Sequence, residues 1–376
     1  MKKILPVALF VGMLMPAIAQ NISLPPSGDN QKSEVKQWIG PVEVTITYNS
    51  PDVHGPNNED RTGKIWGELV HYGFIDQGFG SSKAAPWRAG ANENTEISFS
   101  HNVKVEGKDL KAGTYGFFIA VEKDKPWTLV FSKNHSSWGS YFYDEKEDAL
   151  RVEVQPKDAE YTEWLTYGFS DRGKSSATAF MKWEKKSVSF NIEVPNVNEI
   201  YLSKIRNELR TSPGFDHQNW MYAAQFCLNN KINLEEALTW ADNAISLPFI
   251  GQENFNTLQT KASLLEALDR ISEAEAVMQK AVDHPTATVQ NIHGYGRALI
   301  ARGKNEKALE VFKLNAKKHP DDKFTTTVGL ARGYTAVGDK KNAIKSWELA
   351  IKNLPENQKP NLKYYEGELK KLKEGA

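Results

Sequence analysis

The chain has 376 residues, with 47 basic and 47 acidic side chains and a single cysteine, Cys227. This balance excludes a typical nucleic-acid-binding protein, because such proteins carry a strong basic excess. One thiol cannot form an intrachain disulfide, so buried apolar side chains must stabilise the fold. A chain of this length is sufficient for that and suggests two domains.

The first 19 residues have the pattern of a secretory signal peptide. Two lysines precede an apolar run at residues 4–18, and Ala17 and Ala19 supply the small residues that signal peptidase requires. That run is too short to span a bilayer comfortably, and no later run is long enough. We therefore expect an exported protein, periplasmic or extracellular, with no transmembrane segment after cleavage.

Short alternating segments predict an all-β domain at residues 41–195, after a polar lead-in at residues 20–40 that we expect to be mobile. Residues 42–48 alternate valine and isoleucine with polar residues, which is the period of a half-buried strand. Seven further segments have strand character, at residues 96–99, 114–121, 127–131, 150–154, 163–169, 177–183 and 188–194. Because no amphipathic helix lies between them, the sheets must be largely antiparallel. We predict a β-sandwich, jelly-roll-like in architecture.

A repeat of 34 to 37 residues occupies residues 216–355. Its clearest members are four alanines, Ala237, Ala274, Ala308 and Ala343. Gly303 and Gly338 each precede their alanine by five residues, where a turn between two helices needs a permissive backbone. The pattern resembles four tetratricopeptide repeats. With a linker helix at 196–215 and a capping helix at 356–376, it predicts an α-helical solenoid, so the fold class is multidomain α+β.

Two blocks in the N-terminal half are distinctive. One is Arg61 to Gly73, which contains Ile-Trp-Gly, and the other is Trp-Arg-Ala-Gly-Ala-Asn-Glu-Asn-Thr, which starts at Trp87. Together they resemble a bacterial family known as domain of unknown function 2911, over about residues 40–190. His71 stands where that family usually has proline. The resemblance implies an exported protein that often carries helical repeats, and it implies no activity.

The second block also brings together side chains that suit a binding site. The Arg88 guanidinium offers a fork of donors for a carboxylate or phosphate, and Glu93 is close enough in sequence to pair with it across a turn at Gly90. One interpretation is a structural ion pair beneath Trp66 and Trp87. The other is a ligand pocket with aromatic faces and polar groups that fix orientation. Its predicted residues are Trp66, Tyr72, Trp87, Arg88, Asn92 and Glu93.

Catalysis is an alternative use of the same segment. Glu93 could serve as the acid/base of a cell-envelope hydrolase that acts on carbohydrate or peptide, which would require a second carboxylate nearby. Asp52, Glu68 and Asp76 are the candidates. The histidines of this half have no metal-ligand spacing, and no glycine-rich phosphate loop is present, so we predict neither a metal site nor a cofactor.

The expected function is therefore binding. We expect the β-sandwich to recognise a small molecule, such as a carbohydrate or another envelope component, and the repeats to recognise a protein or peptide partner. Four side chains of the repeats could face a concave binding surface: Asn219, Asn256, Arg297 and Arg332. A third interpretation is that both halves are scaffolding and that the cluster around Arg88 is core.

Overall fold

The computed structural model describes residues 30–55 and 59–374, in two compact units that divide between Tyr201 and Leu202. The predicted signal peptide at 1–19 and residues 20–29 of the predicted lead-in lie outside the described residues. None of the described helices is both long and apolar enough to cross a membrane.

The N-terminal unit is an antiparallel β-sandwich, as the alternating segments predicted. Its strands in the described residues are β1 (Gln31–Ile39), β2 (Val42–Ser50), β3 (His54–Gly55), β4 (Glu59–Asp60), β5 (Thr95–Phe99), β6 (Val103–Val105), β7 (Lys108–Leu110), β8 (Gly113–Ala120), β9 (Trp127–Ser132), β10 (Asp148–Val154), β11 (Lys157–Ser170) and β12 (Ser176–Glu193). One sheet has the order β1-β2-β5-β8-β9-β10, and the other has the order β11-β12-β6-β7. Strands β3 and β4 form a separate small hairpin.

Strand β1 corrects the predicted start of this unit. The polar composition of residues 20–40 predicts a mobile lead-in, but residues 31–39 pair with β2 along their whole length. The two strands join through Gly40 and Pro41, and Gly40 has the positive φ of +58° that favours glycine. Because β1 is an edge strand with many exposed side chains, it can be polar without losing its place in the sheet.

Strand β12 is the second correction. Separate strands are predicted at residues 177–183 and 188–194, yet Ser176–Glu193 is one strand of 18 residues. Glu184 adopts a φ of +52°, and the register with β11 is irregular beside it. An irregularity of this kind bends a strand without ending it, so the pairing continues on both sides.

The two sheets share one hydrophobic core. Alternate residues of the strands point inward, which gives the buried patterns of β2 and β5. The largest fully buried side chains of this core are Phe117, Trp127, Phe131, Trp183 and Phe190. A small second cluster lies apart from this core and consists of Phe118, Val130 and Tyr143, with Phe74 packed against it. Since Phe117 and Phe118 are neighbours on β8, the second cluster covers the opposite face of that sheet.

The C-terminal unit is an array of antiparallel helix pairs. Its helices are α1 (Val197–Glu208), which carries the boundary between the units, then α2 (His217–Asn230), α3 (Leu234–Ser246), α4 (Phe255–Ala267), α5 (Ile271–Asp283), α6 (Val289–Ala301), α7 (Asn305–Lys318), α8 (Thr325–Ala336), α9 (Lys340–Lys352) and α10 (Leu362–Glu374). The pairs α2/α3, α4/α5, α6/α7 and α8/α9 are in contact, and α10 packs on α9. These are the four repeats and the final helix that the spacing predicted.

Small residues allow the helices of a pair to approach closely. The four repeating alanines of the second helices are all buried, and three of them are 0% exposed. Gly303 and Gly338 have positive φ angles of 72° and 79° in the turns, as the pattern predicted. In the second pair, Asp269 takes the same left-handed conformation at φ 61°. Cys227 is buried on α2 and forms no disulfide.

Candidate functional site

The tryptophans of the predicted site lie mainly in the core. Trp87 is 7% exposed, and its ring stacks at 6.0 Å on Trp183 and meets Trp66 edge-on at 5.9 Å. Trp66 also contacts Trp127 at 4.9 Å and is partly buried against the same core. Such aromatic pairs add stability beyond their burial, roughly 0.5–1.5 kcal/mol each. Trp87 therefore supports the site from beneath and does not offer a free face to a ligand.

Tyr72 holds Trp66 in place. The Tyr72 hydroxyl donates to the Trp66 carbonyl at 3.0 Å. The Tyr72 ring lies so close to Gly67 that a Cβ there would meet it at 2.4 Å, and Gly67 also has a φ of +99°. The Ile-Trp-Gly motif thus has a structural reason: only glycine fits between the Tyr72 ring and this left-handed backbone.

The loop after Trp87 is held by its own backbone. The amide of Thr95 donates to the Arg88 carbonyl at 3.2 Å, which closes the loop. The Ala89 carbonyl accepts from the hydroxyls of Thr95 and Tyr167, at 2.9 and 2.8 Å. The Trp87 indole donates to the Gly90 carbonyl at 3.2 Å. A loop with this many internal bonds presents its side chains in a fixed geometry.

The turn in this loop differs from the predicted one. The residues with positive φ are Ala89 at 55° and Asn92 at 56°, and not Gly90. Gly90 is required for space, because a Cβ there would lie 2.8 Å from the Thr95 hydroxyl and 3.0 Å from the Asn49 carbonyl.

Arg88 and Glu93 do not pair, so that part of the prediction is wrong. Arg88 Nη1 donates to the Asn92 carbonyl at 2.7 Å, and its guanidinium lies over the Tyr141 ring at 5.7 Å. Glu93 Oε2 instead accepts from Asn49 Nδ2 at 2.8 Å. The two left-handed residues between Arg88 and Glu93 turn the backbone, so sequence distance did not predict side-chain distance.

A second loop completes the site. Glu93 forms an antiparallel bridge with Trp138, and the flanking backbone bonds run from Asn94 to Ser137 and from Gly139 to Asn92. Residues opposite each other in such a bridge carry their side chains on the same face. Glu93 is exposed, and Trp138 is 55% exposed. A carboxylate and an accessible indole therefore lie side by side.

Gly139 makes room for Arg88 beside this pair. A Cβ at Gly139 would lie 3.1 Å from Arg88 Cζ, and its φ is +69°. We call the resulting group the corner, which consists of Arg88, Asn92, Glu93, Trp138 and Tyr141. Sequence reasoning missed Trp138 and Tyr141, because they lie more than 40 residues after the motif. The only available signal was the turn-rich composition around them, which has no period.

Two of the carboxylates proposed as catalytic partners, Asp76 and Asp52, have other contacts. Asp76 pairs with Lys83 at 3.0 Å, and a bond from the Gly78 amide together with Lys83 lowers the pKa of Asp76. Asp52 forms a bridge with Trp164 of β11. Glu93 itself accepts from the Asn49 amide, so the contacts of the described residues give no support to a pair of catalytic carboxylates at Glu93.

Two histidines of this unit lie beside carboxylates, and one of them, His54, contacts both Glu163 and Asp60. His54 Nδ1 lies 3.0 Å from Glu163, which raises the pKa of His54, and His135 Nδ1 lies 3.2 Å from Glu96. Within residues 30–55 and 59–374, no three His, Cys, Asp or Glu side chains are grouped so that they could hold a metal ion.

The helical array has a separate candidate surface. The first helices of neighbouring pairs contact each other, α2 with α4 and α6 with α8, so they line one side of the array. Arg297 on α6 and Arg332 on α8 are 35 residues apart and occupy equivalent places in their repeats. Arg297 is exposed, whereas Arg332 lies over the rings of Trp347 and Tyr364 at 5.9 and 5.5 Å.

The predicted asparagines of this surface differ from each other. Asn256 is exposed at the start of α4. Asn219 is partly buried, and its side chain donates to the Pro213 carbonyl at 2.9 Å. The side-chain amide of Asn219 therefore stabilises the chain before α2, and this hydrogen bond already uses a donor that could otherwise bind a partner.

Several solved structures resemble part of the chain. The structure of YrrB, a tetratricopeptide-repeat protein with an unusual peptide-binding site, has a TM-score of 0.29 at 19% identity and covers 43% of this chain and 80% of that one. A tetratricopeptide-repeat protein from Parabacteroides merdae has a TM-score of 0.32 at 14% identity, with coverages of 46% and 68%. MamA from Desulfovibrio magneticus RS-1 has a TM-score of 0.28 at 18% identity, with coverages of 42% and 93%.

The fold thus defines a two-part protein with an antiparallel β-sandwich and an array of tetratricopeptide-like helix pairs. No curated protein matches the chain. Residues 30–192 match the family model described as Protein of unknown function (DUF2911). The match confirms, for the N-terminal domain, the family that the two sequence blocks indicated, and it covers the whole of the corner.

Proposed function

We propose that the protein is an exported binding protein, with a small-ligand site at the corner of its β-sandwich and a protein-binding surface on its helical array. The observation that carries the proposal is the accessible pair of Glu93 and Trp138 beside the half-buried Arg88. An indole face packs against apolar C–H groups, while carboxylate, amide and guanidinium groups bond to hydroxyls. That combination suits a sugar ring.

Preorganisation favours binding over a purely structural role. The backbone of residues 88–95 is held by several internal bonds, and the Arg88 guanidinium is fixed by the Asn92 carbonyl and the Tyr141 ring. Groups that are already ordered lose little conformational entropy when a ligand arrives. Loops that served only the core would not need to present Glu93 and Trp138 to solvent.

The experiment for the corner is calorimetric titration of the full mature chain with chitotriose, a neutral oligosaccharide. We expect binding that Trp138→Ala and Glu93→Gln each weaken at least tenfold, or about 1.4 kcal/mol. Trp38→Ala is the matched control, since Trp38 is 56% exposed on β1, outside the corner. Unchanged affinity in Trp138→Ala, or no binding by the native chain, would contradict the proposal for this site.

The array is proposed to hold a protein partner through the side lined by its first helices. Stacked helix pairs form extended recognition surfaces of this kind. A photo-crosslinking residue at Arg297, exposed on α6, should capture a partner in the native cell envelope, whereas the same residue at Glu310, exposed on α7, should not. Equal capture at both positions would oppose a specific surface on the first helices.

A further inference from the structure

Two open clefts meet on the outer face of the six-stranded sheet, and none of their lining residues belongs to the corner. One has a volume of about 590 Å³ and includes Phe74, Tyr143 and Arg151 in its wall. The other has a volume of about 560 Å³ and is lined by Phe74, Arg151 and residues of β10. Both clefts share Phe74 and Arg151, so these two side chains stand between them.

An irregularity in β10 builds the polar group at this junction. In a regular strand, Asp148 and Arg151 would point to opposite faces, because they are an odd number of residues apart. The register of β10 on β9 shifts between Asp148 and Leu150, which leaves Ala149 as the extra residue. A bulge of this type changes the phase of a strand and redirects its side chains. It brings Asp148 and Arg151 to the same face.

The Arg151 guanidinium is held from several sides. Its Nε donates to Asp148 Oδ2 at 2.5 Å, and its Nη2 donates to the Tyr143 hydroxyl at 2.8 Å, while that hydroxyl donates to the same carboxylate oxygen at 2.7 Å. The guanidinium also lies over the Phe74 ring at 5.0 Å. The Asp148 side chain is only 9% exposed, and burial raises its pKa. Because the Asp148 carboxylate accepts from both Tyr143 and Arg151, it fixes the orientation of the guanidinium.

One edge of this fixed guanidinium is still accessible to a ligand. Arg151 is 37% exposed, and its Nη2 also lies 3.7 Å from the exposed Glu145 carboxylate, whereas its Nη1 has no protein partner among the described residues. A planar fork with free N–H donors suits a carboxylate, and its orientation is already set before a ligand binds.

The charge balance around the clefts disfavours ligands with many negative charges. Each cleft has basic and acidic side chains in equal number. In the first they are Lys83, Arg151, Asp144 and Glu145, and in the second they are Lys108, Arg151, Glu106 and Glu153. A polyanion such as a nucleic acid would need a basic excess and would be repelled by these carboxylates. The same carboxylates, with the Ser81 hydroxyl of the first cleft, can bond to neutral hydroxyl groups.

We propose that Arg151 and the two clefts beside it bind a carbohydrate that carries one carboxylate, with the carboxylate on the Arg151 fork and the hydroxyls on the acidic walls. Asp148 and Tyr143 are positioning residues that orient Arg151. The site shares no residue with the corner and takes a different class of ligand.

The test uses glucuronosyl-xylose, a disaccharide with one carboxylate, and xylobiose, its neutral counterpart, in calorimetric titrations of the full mature chain. We expect glucuronosyl-xylose to bind at least tenfold more tightly than xylobiose. Arg151→Gln should remove that difference, and Arg151→Lys should restore little of it because an ammonium lacks the fork. Arg210→Gln, an exposed arginine of the other unit, is the matched control.

Three results would overturn the proposal: equal affinity of the native chain for the two disaccharides, including no binding of either; unchanged discrimination in Arg151→Gln; or tighter binding of inorganic phosphate than of glucuronosyl-xylose. Asp148→Asn keeps the shape of the side chain and provides a second test if Arg151→Gln does not fold. It should weaken glucuronosyl-xylose binding while xylobiose binding is unchanged. Chitotriose binding at the corner should persist in every variant, so the two sites fail independently.

Discussion

Two glycines on the same helix test the packing of the array. Gly294 and Gly296 both lie inside α6, two residues apart. A Cβ on Gly294 would meet nothing within 4 Å, whereas a Cβ on Gly296 would lie 2.5 Å from Phe312 Cε1 and 2.6 Å from Phe312 Cζ. The same substitution by alanine should therefore have opposite consequences at the two positions.

The magnitudes follow from helix propensity and packing. Alanine in place of glycine in a helix stabilises by roughly 0.5–1 kcal/mol at either position. At Gly296 the added methyl group also overpacks a ring that is 0% exposed, which costs about 1–3 kcal/mol. The propensity gain is common to both variants and cancels, so they should differ by about 1–3 kcal/mol. For a domain of this size, each kcal/mol shifts Tm by roughly 2–4 °C.

The assay is thermal unfolding of the full chain followed by circular dichroism at the helical minimum, which reports mainly on the array. We expect Gly294→Ala to raise Tm above that of the native chain. Gly296→Ala should have a lower Tm than Gly294→Ala. Phe312→Leu combined with Gly296→Ala should be less destabilised than the sum of the single variants, because the clash is removed. Equal Tm values for the two alanine variants, or strict additivity in the cycle, would refute the packing explanation.

Three further predictions concern single residues. Lys231 ends α2 in a left-handed conformation with φ 55°, so Lys231→Gly should stabilise the chain to urea by roughly 0.5–1 kcal/mol, whereas Lys231→Ala should not. Asp216 caps α2 by accepting from the Gln218 amide, so Asp216→Ala should cost about 1 kcal/mol and Asp216→Asn much less. Burial and neighbouring guanidinium groups lower the pKa of His293 to about 4, so the unfolded chain takes up its proton first as pH falls below 6.5. Unfolding free energy should therefore drop by roughly 1–2 kcal/mol more between pH 7 and pH 5 in the native chain than in His293→Leu.

The helical array was predictable because its pattern is local and periodic. The spacing of Ala237, Ala274, Ala308 and Ala343 reports the closest approach of two helices, and such an approach tolerates only a small side chain. Gly303 and Gly338 report positive φ in the same way. Close helix packing requires a small residue and positive φ favours glycine, so both features can be recognised directly in the sequence.

The sequence predicted the fold class of the N-terminal unit, an antiparallel β-sandwich, but it did not predict the irregular parts of the strands. Strand β1 escaped prediction because an edge strand can be polar. The two predicted halves of β12 are one strand because Glu184 bends the backbone while pairing continues. In both cases the backbone hydrogen bonds, which hydrophobic periodicity does not report, decide the structure.

The corner shows the same limit for a site. Trp87 and Arg88 are neighbours in sequence, yet Trp87 points into the core and Arg88 lies over Tyr141, because successive residues of an extended segment face opposite sides. The bridge that places Trp138 beside Glu93 joins residues 45 apart. A motif can thus identify the right segment while its partners come from elsewhere in the chain.

Both proposed sites occur where the backbone departs from regular structure. At the corner, the left-handed residues Ala89 and Asn92 redirect Arg88 and Glu93. At the clefts, the bulge at Ala149 brings Asp148 and Arg151 to one face. Regular strands alternate their side chains and cannot place such neighbours together, so a rigid sandwich needs irregularities to assemble a polar group on one face. The stable sheets keep these irregular segments in place, and that is why fixed guanidinium groups are found there.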